Sequence, residues 1–452
     1  MEGPFDFAII GAGASGEAAA HHARARGASV AIVDRDLFGG SCPFWACMPS
    51  KTLLHAAEVK AHGGEYPWPK ASARRDYMIV RERIDRPDDG SHVRALEGAG
   101  CTVVRGTARL AGKGRVRVSH DGRTHELAAK SVIVAVGSVG KVPELDGLAE
   151  AGYWTNVEAT SLRELPKSVV VLGAGPSGAE IAQYLARYGV RTAIVGRVNP
   201  TDHPKSSAFI AETLRRDGVD VRDGARAAKV RPRARGAEHA VDLSDGQTVF
   251  GEVIQLSVGR TSAKALGSLG LDTIGVAYDG ADRIAVDERL RLADGVYAVG
   301  DPIGHELSTH LGHYEGEMAV RIALGDDVRV DFSATPRVVY TDPETAAVGL
   351  RLDQAAERGI DAFEQTTDFA TTSKGYIVEA DRGHLTIVVD RERKVVVGAF
   401  AAGQGAGEAI HAAVLAVKLA TPLDVLAQTI HAFPTMARGL GGLFAAAALQ
   451  CR

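Results

Sequence analysis

The fold is constrained most by one glycine pattern that occurs twice, each time between a strand-like apolar run and a helix-like run. The first copy lies in FDFAIIGAGASGEAAAHHARARGASVAIVD, and the second lies in SVVVLGAGPSGAEIAQYLARYGVRTAIVGR. Both have the spacing G-x-G-x-x-G, with Gly11, Gly13 and Gly16 in the first copy and Gly173, Gly175 and Gly178 in the second. The first glycine permits a tight turn, the second lets the backbone approach a pyrophosphate, and the third lets the helix pack on the strand. Two copies predict an α/β chain with two Rossmann-like dinucleotide-binding domains.

The residue that ends the strand after each motif indicates which ribose the site accepts. In the first copy this residue is Asp34, whose carboxylate can accept hydrogen bonds from ribose hydroxyls. The same register in the second copy reaches Gly196, and Arg197 follows it. Loss of the carboxylate and gain of a guanidinium favour a 2′-phosphate, and therefore NADPH, although NADH stays possible. His203 and Lys205 either add positive charge to this site or are solvated loop residues.

Length and charge limit the other possibilities. The 452 residues suggest roughly three domains, and alternating strand-like stretches after about residue 330 predict a C-terminal α+β module. The net charge of −4, with both signs mixed, favours neither nucleic acid nor a membrane surface as a partner. The beginning MEGPFDFAIIGAG has no basic segment followed by a long apolar one, so we expect a cytoplasmic protein.

Four cysteines occur, and two of them lie close together in GGSCPFWACMPSK. Cys42 and Cys47 could form a structural disulfide, half of a metal site, two inert thiols or a redox pair. A zinc site needs about four ligands, and His55 is the one nearby addition, so no metal site is predicted. A cysteine pair in the cytoplasm is more often redox-active than structural. Cys101, at the start of a strand-like run, is expected to be a small core residue.

Around these cysteines the chain resembles the flavoprotein disulfide reductases, the family of glutathione reductase, lipoamide dehydrogenase and mercuric reductase. The stretch Gly39–Lys51 is similar to that family's active-site segment, which has two cysteines separated by four residues. Nearly the whole chain takes part in the resemblance, through further stretches at Val132–Ser138, Gly295–Asp301, Val338–Leu350 and Val395–Ile410.

The resemblance implies a domain order and an electron path. It places an FAD-binding domain in residues 1–150 and 276–330, an NAD(P)H-binding domain in 151–275, and a dimerisation domain in 331–452 of a homodimer. Electrons would pass from NADPH to FAD, then to Cys47 beside the flavin, and then to Cys42, which would exchange with a small thiol, disulfide or other small-molecule substrate.

The same resemblance assigns roles to further residues. It implies that Lys51 lies beside the flavin with Glu180 as its ion-pair partner, although both could be ordinary surface charges. Asp301 would bind the ribityl chain. His310 would serve in proton transfer or would merely cap or pack. The remaining implied cofactor contacts are Gly40, Ser41, Ala108, Gly137, Gly259, Arg260, Gly300, Ser308 and Thr309. Of these, Ser308 and Thr309 are good N-cap residues, so we expect a helix to begin there and to stabilise negative charge on the reduced ring.

The C-terminal segment TIHAFPTMARGLGG departs from the disulfide-reducing relatives, which carry a histidine before the proline and a glutamate a few residues later. Phe433 and Arg438 occupy those positions, and His431 is expected to point elsewhere. Mercuric reductases also lack that histidine but carry adjacent cysteines near the C-terminus, whereas Cys451 stands alone here as a third thiol or a loose terminal residue. Trp45, between the two active-site cysteines, stacks on a flat acceptor or merely packs.

Three functions follow. The leading hypothesis is an NADPH-dependent FAD oxidoreductase that works through Cys42 and Cys47 on a disulfide, a thiol-pathway compound or a metal ion. The second is a diaphorase that passes electrons from flavin to quinones or oxygen without the cysteines. The third is a flavin-binding sensor without useful turnover.

Overall fold

A computed structural model describes residues 2–81, 86–233 and 237–451. The strands are β1 Glu2–Ile10, β2 Val30–Asp34, β3 Thr102–Arg105, β4 Thr107–Leu110, β5 Arg115–His120, β6 Arg123–Val134, β7 Val139–Gly140, β8 Ser168–Leu172, β9 Arg191–Gly196, β10 Asp220–Asp223, β11 Ala227–Arg231, β12 His239–Leu243, β13 Thr248–Gly251, β14 Val253–Leu256, β15 Arg260–Thr261, β16 Arg291–Ala293, β17 Val296–Ala298, β18 Pro336–Val339, β19 Thr345–Gly349, β20 Ala362–Asp368, β21 His384–Asp390 and β22 Val395–Ala402.

The helices alternate with these strands along most of the chain. They are α1 Ala14–Ala25, α2 Ser41–Trp45, α3 Cys47–Ala61, α4 Trp68–Met78, α5 Gly90–Gly98, α6 Leu148–Ala151, α7 Asn156–Thr160, α8 Pro176–Arg187, α9 Pro204–Arg216, α10 Ala263–Gly267, α11 Thr309–Ala323, α12 Leu352–Glu357, α13 Ser373–Ile377, α14 Ala406–Ala409, α15 His411–Lys418, α16 Leu423–Gln428 and α17 Met436–Gln450.

The chain forms two compact units. Unit 1 comprises Met1–Thr52, Ser72–Lys141 and Gly259–Val330. Its eight-stranded sheet has the order β16-β17-β6-β1-β2-β3, with β4 and β5 attached through β6. Strands β3, β2, β1, β6 and β17 are parallel, and each connection between parallel strands needs a crossover, as in a doubly wound fold. The middle of the sheet, at Phe7–Ile10, Val30–Val33 and Val132–Val134, is buried, as expected for a sheet covered on both faces.

The first glycine loop joins β1 to α1 in unit 1. Gly11 has φ +103°, and a Cβ there would lie 2.2 Å from the carbonyl oxygen of Ala135. A Cβ on Gly16 would lie 1.9 Å from the carbonyl oxygen of Gly11. Any side chain at either position would force the strands or the helix apart, so the turn and the close helix packing both require glycine.

Unit 2 comprises Leu53–Ala71, Val142–Val258 and Asp331–Arg452. It holds a parallel sheet of order β10-β9-β8-β14, an antiparallel sheet β11-β12-β13, and a five-stranded antiparallel sheet β18-β19-β22-β21-β20. Helices α14 to α17 contribute to one buried core with the five-stranded sheet. The second glycine loop repeats the first, because a Cβ on Gly173 would lie 2.2 Å from the oxygen of Ser257 and one on Gly178 would lie 2.0 Å from that of Gly173.

The predicted fold class is confirmed: two nucleotide-binding α/β sheets are followed by an α+β module. The segment Leu53–Ala71 clusters with unit 2 although it lies within the span 1–150. Which unit binds which cofactor, and the domain boundaries drawn from the resemblance, remain predictions. Within the described part of the chain, none of the helices has the length and apolar character needed to cross a membrane.

Candidate active site

The turn before the two cysteines packs directly on the first glycine loop. The backbone N–H of Gly39 donates to the carbonyl of Ala12 at 2.7 Å, and a Cβ on Gly40 would lie 2.7 Å from the Cα of Gly13. Gly39 and Gly40 have φ values of +99° and +69°, which favour glycine. The cysteine segment is therefore fixed against the loop that is expected to bind a pyrophosphate, and predicted residues Gly13 and Gly40 lie together.

Cys42 and Cys47 are partly buried and not bonded to each other. Cys42 lies in α2, the backbone bends at Ala46, and Cys47 begins α3. The Sγ of Cys47 lies 3.2 Å from the hydroxyl of Thr309. A hydrogen bond from Cys42, together with Thr309 and the charge of Lys51, lowers the pKa of Cys47 to about 6 against the opposing effect of burial. The same hydrogen bond and burial raise the pKa of Cys42.

This division of charge has a direct chemical meaning. Within the reduced pair, Cys47 is the thiol that ionises more readily, and the proton is held preferentially at Cys42. A thiolate at Cys47 is the form that the resemblance requires beside a flavin, and its position there stays a prediction. Trp45 packs at the edge of a small cluster formed by Leu37, Phe44 and Ile79, which favours the packing alternative.

Helix α11 begins where the sequence predicts. Ser308 is its N-cap, and its hydroxyl accepts a hydrogen bond from the N–H of Leu311 at 3.4 Å. Thr309 is the first helical residue, so the positive end of the helix lies beside the thiolate of Cys47 and stabilises it. His310 is exposed and its Nε2 lies 3.2 Å from the hydroxyl of Ser308, which is a contact with the cap. Its role in proton transfer stays a prediction.

Four of the predicted cofactor residues meet beyond β17. The hydroxyl of Ser138 donates to the carboxylate of Asp301, and Arg260 donates to the hydroxyl and the carbonyl of Ser138 at 2.7 and 2.6 Å. The carbonyl of Gly137 accepts from Ser262 at 2.8 Å, while Gly259 accepts from the backbone of Lys141. Asp301 is thus held in one orientation by Ser138, and Arg260 lies 3.6 Å from the same carboxylate.

Predicted residues Gly11, Asp34 and Ala108 line one cavity of unit 1, together with Gly106 and Leu269. The carboxylate of Asp34 accepts from the backbone N–H of Ala12 at 2.7 Å and from that of Asp36 at 2.8 Å, and burial raises its pKa. The cavity lies at the carboxyl ends of parallel strands, where dinucleotides bind in such sheets.

The hydrogen-bonding groups in this part of unit 1 fit FAD. Helix α1 has a glycine at its N-cap and no side-chain cap bond, so its first amides are available to phosphate oxygens. Asp34 lies at the ribose position, and Asp301 offers a fixed carboxylate for hydroxyl groups. These residues would hold the cofactor, and their individual contacts with it remain predictions.

Of the three basic residues that the sequence indicated near the second glycine loop, only Arg197 is available to a nucleotide phosphate. Arg197 is exposed just after Gly196, whose φ is +144°. His203 is buried and lies 3.0 Å from the carboxylate of Glu364. Lys205 lies 3.6 Å from the same carboxylate. His203 and Lys205 are therefore engaged within unit 2, and neither is a simple solvated loop residue.

Glu180 is not a surface charge. It is 4% exposed, and its Oε1 accepts from the backbone N–H of Tyr340 at 3.0 Å. Lys51 contributes to the low pKa of Cys47, as described above. The ion pair between Lys51 and Glu180 stays a prediction.

The C-terminal segment places His431 against α17. Its ring packs against Gly441 and Phe444, with Nε2 shielded from solvent, and burial followed by the charge of Arg438 lowers its pKa. Phe433 is 71% exposed. Cys451 packs partly against the core of unit 2 at the end of α17, and its role stays a prediction.

Some contacts were missed by the sequence reasoning. Ser138 ends the stretch Val132–Ser138, but its contact with Asp301 was not predicted. Its position directly after Gly137 could have indicated a role beside the cofactor. Glu315 was also missed: the sequence shows it only as an acid among the apolar residues of α11, and its burial was not predicted. Glu58, His62 and Asp342 also meet, with ligand atoms within 4.8 Å, but Asp342 already pairs with Arg187 at 2.7 Å.

Comparisons with known proteins agree with this arrangement. The family profile described as pyridine nucleotide-disulphide oxidoreductase matches residues 5–323, and the profile of its dimerisation domain matches 335–442. The chain is 32% identical to a mercuric reductase of Streptomyces lividans, covering 96% of this chain and 94% of that protein. It is also 32% identical to a dihydrolipoyl dehydrogenase of Chlorobaculum tepidum, with the same coverages of 96% and 94%.

Solved structures show the same fold. LpdA from Mycobacterium tuberculosis is similar with a TM-score of 0.85 at 25% identity, covering 97% of this chain and 99% of that one. The copper(II) complex of RclA, an HOCl-induced flavoprotein disulfide reductase from Escherichia coli, is similar with a TM-score of 0.86 at 24% identity, covering 98% and 100%.

Proposed function

Because the chain belongs to the pyridine nucleotide-disulphide oxidoreductase family and is an NAD(P)H-dependent flavoprotein oxidoreductase, we propose that it reduces an external acceptor through the thiols of Cys42 and Cys47. The observation that carries the proposal is the position of Cys47 beside the N-terminus of α11, where its Sγ lies 3.2 Å from the hydroxyl of Thr309 and its pKa is lowered. Two inert buried thiols would both be protonated at neutral pH.

The chain's own residues divide the work. Bound FAD would supply the two-electron transfer between the nicotinamide and the disulfide of Cys42 and Cys47. Thr309 and the N-terminus of α11 stabilise the thiolate of Cys47 when that disulfide opens. Cys42 holds the remaining proton; when this proton passes to solvent, the Cys42 thiolate attacks the acceptor. Ser138 and Arg260 hold Asp301 in position for the cofactor's hydroxyl groups.

The nicotinamide nucleotide is proposed to be NADPH. The strand-end position holds Gly196 in place of an acid, and Arg197 beside it is exposed and available to a 2′-phosphate. His203 and Lys205 do not carry this proposal, because Glu364 engages both.

The acceptor is proposed to be one that needs no positioned acid, with a thiophilic metal cation as the leading candidate. A disulfide acceptor releases a thiolate that an acid normally protonates, and such an acid is typically worth 10²- to 10⁴-fold in rate. Phe433 stands where disulfide-reducing relatives have the histidine, and the shielded ring of His431 is poorly placed to replace it. A metal cation binds the two thiolates directly, and re-formation of the disulfide of Cys42 and Cys47 then supplies the two electrons that reduce it, with no leaving group to protonate. Similarity to mercuric reductases supports this choice. The proposed assembly is a homodimer, supported by the dimerisation-domain match.

The function is tested by anaerobic addition of NADPH to the oxidised, FAD-containing protein, followed by a count of accessible thiols. The wild type is expected to gain two thiols per chain, and Cys42→Ser is expected to gain none. Cys451→Ser serves as the matched control and should behave as the wild type. Turnover that survives Cys42→Ser would instead support the diaphorase hypothesis.

The acceptor is tested separately with the wild type. Turnover with Hg²⁺ or Cu²⁺ in the presence of excess thiol is expected to exceed turnover with lipoamide or glutathione disulfide by roughly 10²-fold. Equal or faster disulfide reduction would reject the metal acceptor while leaving the thiol mechanism intact. Light scattering measures the mass, and a monomer would reject the proposed dimer.

A further inference from the structure

The turn that leads into Cys42 is held by side chains that the reaction does not use. Residues Leu37–Gly40 connect β2 to α2, and their contact with the first glycine loop is described above. On the other side of the turn, the ring of His92 fills the space beneath Gly39. A Cβ on Gly39 would lie 2.7 to 2.9 Å from three atoms of that ring. His92 also packs edge-on against Phe44, with ring centroids 5.5 Å apart.

His92 links this turn to α1. Its Nδ1 lies 3.0 and 3.2 Å from the two carboxylate oxygens of Glu17. Glu17 belongs to the first turn of α1, whose amides are expected to bind the pyrophosphate. A carboxylate at this end of the helix repels phosphate, and an imidazolium beside it removes most of that repulsion. The side chains of His92 and Glu17 are 29% and 18% exposed, so solvent screens the pair only partly.

A second contact holds the other end of the same turn. The carboxylate of Asp89 accepts from the backbone N–H of Phe38 at 2.8 Å and from Arg105 at 2.7 Å. The guanidinium of Arg105 lies 4.9 Å from the centre of the Phe38 ring and donates to the carbonyl of Asp36. Asp89 and Arg105 keep their charges near neutral pH, so this contact does not change there. The contact of His92 does change, because its imidazole gains or loses a proton in this range.

We propose that His92 is a positioning residue whose imidazolium, paired with Glu17, fixes the Leu37–Gly40 turn on the first glycine loop and thereby places Cys42. The part of this inference that concerns Cys42 chemistry rests on the proposed function. The charged groups that act on His92 are Glu17 on α1 and Asp89, which precedes α5 and pairs with Arg105.

The pair of His92 and Glu17 weakens as pH rises. The hydrogen bond that His92 donates to the carboxylate of Glu17 raises the pKa of His92 above its ordinary value of 6.5, against the effect of burial. The charged pair is therefore complete below about pH 6.5 and is lost as pH rises through the raised pKa. A neutral imidazole keeps a hydrogen bond through Nδ1–H but loses the assistance of charge.

Hydrogen exchange of the turn tests the proposal without relying on turnover. Exchange is measured by mass spectrometry on peptides that cover residues 36–44, between pH 5.5 and 9, and is corrected for the intrinsic rate. In the wild type we expect protection to fall roughly fivefold as His92 loses its proton. His92→Gln should have the low protection at every pH, and His21→Gln, an exposed histidine of α1, should keep the wild-type transition. An unchanged transition in His92→Gln would overturn the proposal.

Two further results separate this inference from the proposed function. Exchange does not require FAD, so a protein that binds no flavin but has the transition rejects the proposed function and keeps the positioning role. A flavin-containing protein without the transition rejects the positioning role and leaves the proposed function intact. If His92→Gln fails to fold, Glu17→Gln replaces it: the transition should move to lower pH, and an unmoved transition overturns the proposal.

Discussion

Replacing Glu315 by glutamine is expected to change how the stability of the protein depends on pH. Glu315 lies on α11 and is 1% exposed. Its Oε2 accepts from the backbone N–H of Gly300 at 2.6 Å, and among the residues that the structure describes its Oε1 has no hydrogen-bond partner. Burial, and less strongly the charge of Asp301, raise its pKa from 4.5 to about 7. A buried carboxylate with one unsatisfied oxygen is costly when ionised.

The sign and size of the effect follow from this shift. The folded protein holds the proton of Glu315 more tightly than the unfolded chain does, so stability falls as pH rises from about 4.5 to about 7. At roughly 1.4 kcal/mol per pH unit, the full loss is about 3 kcal/mol. Glutamine keeps an oxygen that can accept from Gly300 and has no charge, so it abolishes this contribution to the slope.

The assay is thermal unfolding of the FAD-containing wild type and of Glu315→Gln at several pH values between 5 and 8.5. The difference in Tm between variant and wild type is expected to become more favourable to the variant by several degrees across this range. Glu317→Gln, an exposed acid on the same helix, should leave the wild-type slope unchanged. A Tm difference that is the same at pH 5 and at pH 8 would refute the reasoning.

Three further changes test other contacts. Thr309→Val is expected to move the alkylation of Cys47, followed site by site by mass spectrometry, to higher pH by up to about one unit. Thr309→Ser should keep the wild-type profile, and an unmoved profile in the valine variant would contradict the role of the hydroxyl. Arg197→Glu should raise KM for NADPH roughly tenfold and leave KM for NADH almost unchanged, whereas equal changes would reject the 2′-phosphate contact. The double change Phe433→His and Arg438→Glu should increase disulfide reduction by up to roughly 10²-fold, and the absence of any gain would mean that the acid is not the missing element.

The features that the sequence predicted best are those set by a short stretch of chain. The glycine spacing predicted both nucleotide-binding loops, because the first and third glycines of each motif are required by backbone atoms of the same strand–turn–helix unit or the adjoining strand. Asp34 ends its strand as predicted, and Ser308 caps α11 as predicted, since both positions depend on local register.

The features that the sequence did not predict depend on contacts between distant positions. His203 and Lys205 were left open as possible phosphate ligands, but Glu364, 161 residues beyond His203, engages them. The pair of Glu17 and His92 joins residues 75 positions apart. A histidine or lysine near a nucleotide loop has the same local pattern whether it faces a ligand or a carboxylate from another strand, so pairing can be read only from the fold.

The two halves of the proposed reaction place different demands on the site, and this difference bears on the acceptor. Reduction of the disulfide needs a stabilised thiolate, which Thr309, Lys51 and the N-terminus of α11 provide at Cys47. Reoxidation needs an acid only when the leaving group is a basic thiolate. Phe433 lies where such an acid would be expected, and the ring of His431 is turned into the protein. The first half is thus fully equipped in this chain, while the second half suits an acceptor that binds thiolates and releases no basic group. A cation that prefers sulfur ligands meets both conditions, which is the physical reason to test metal ions before disulfides.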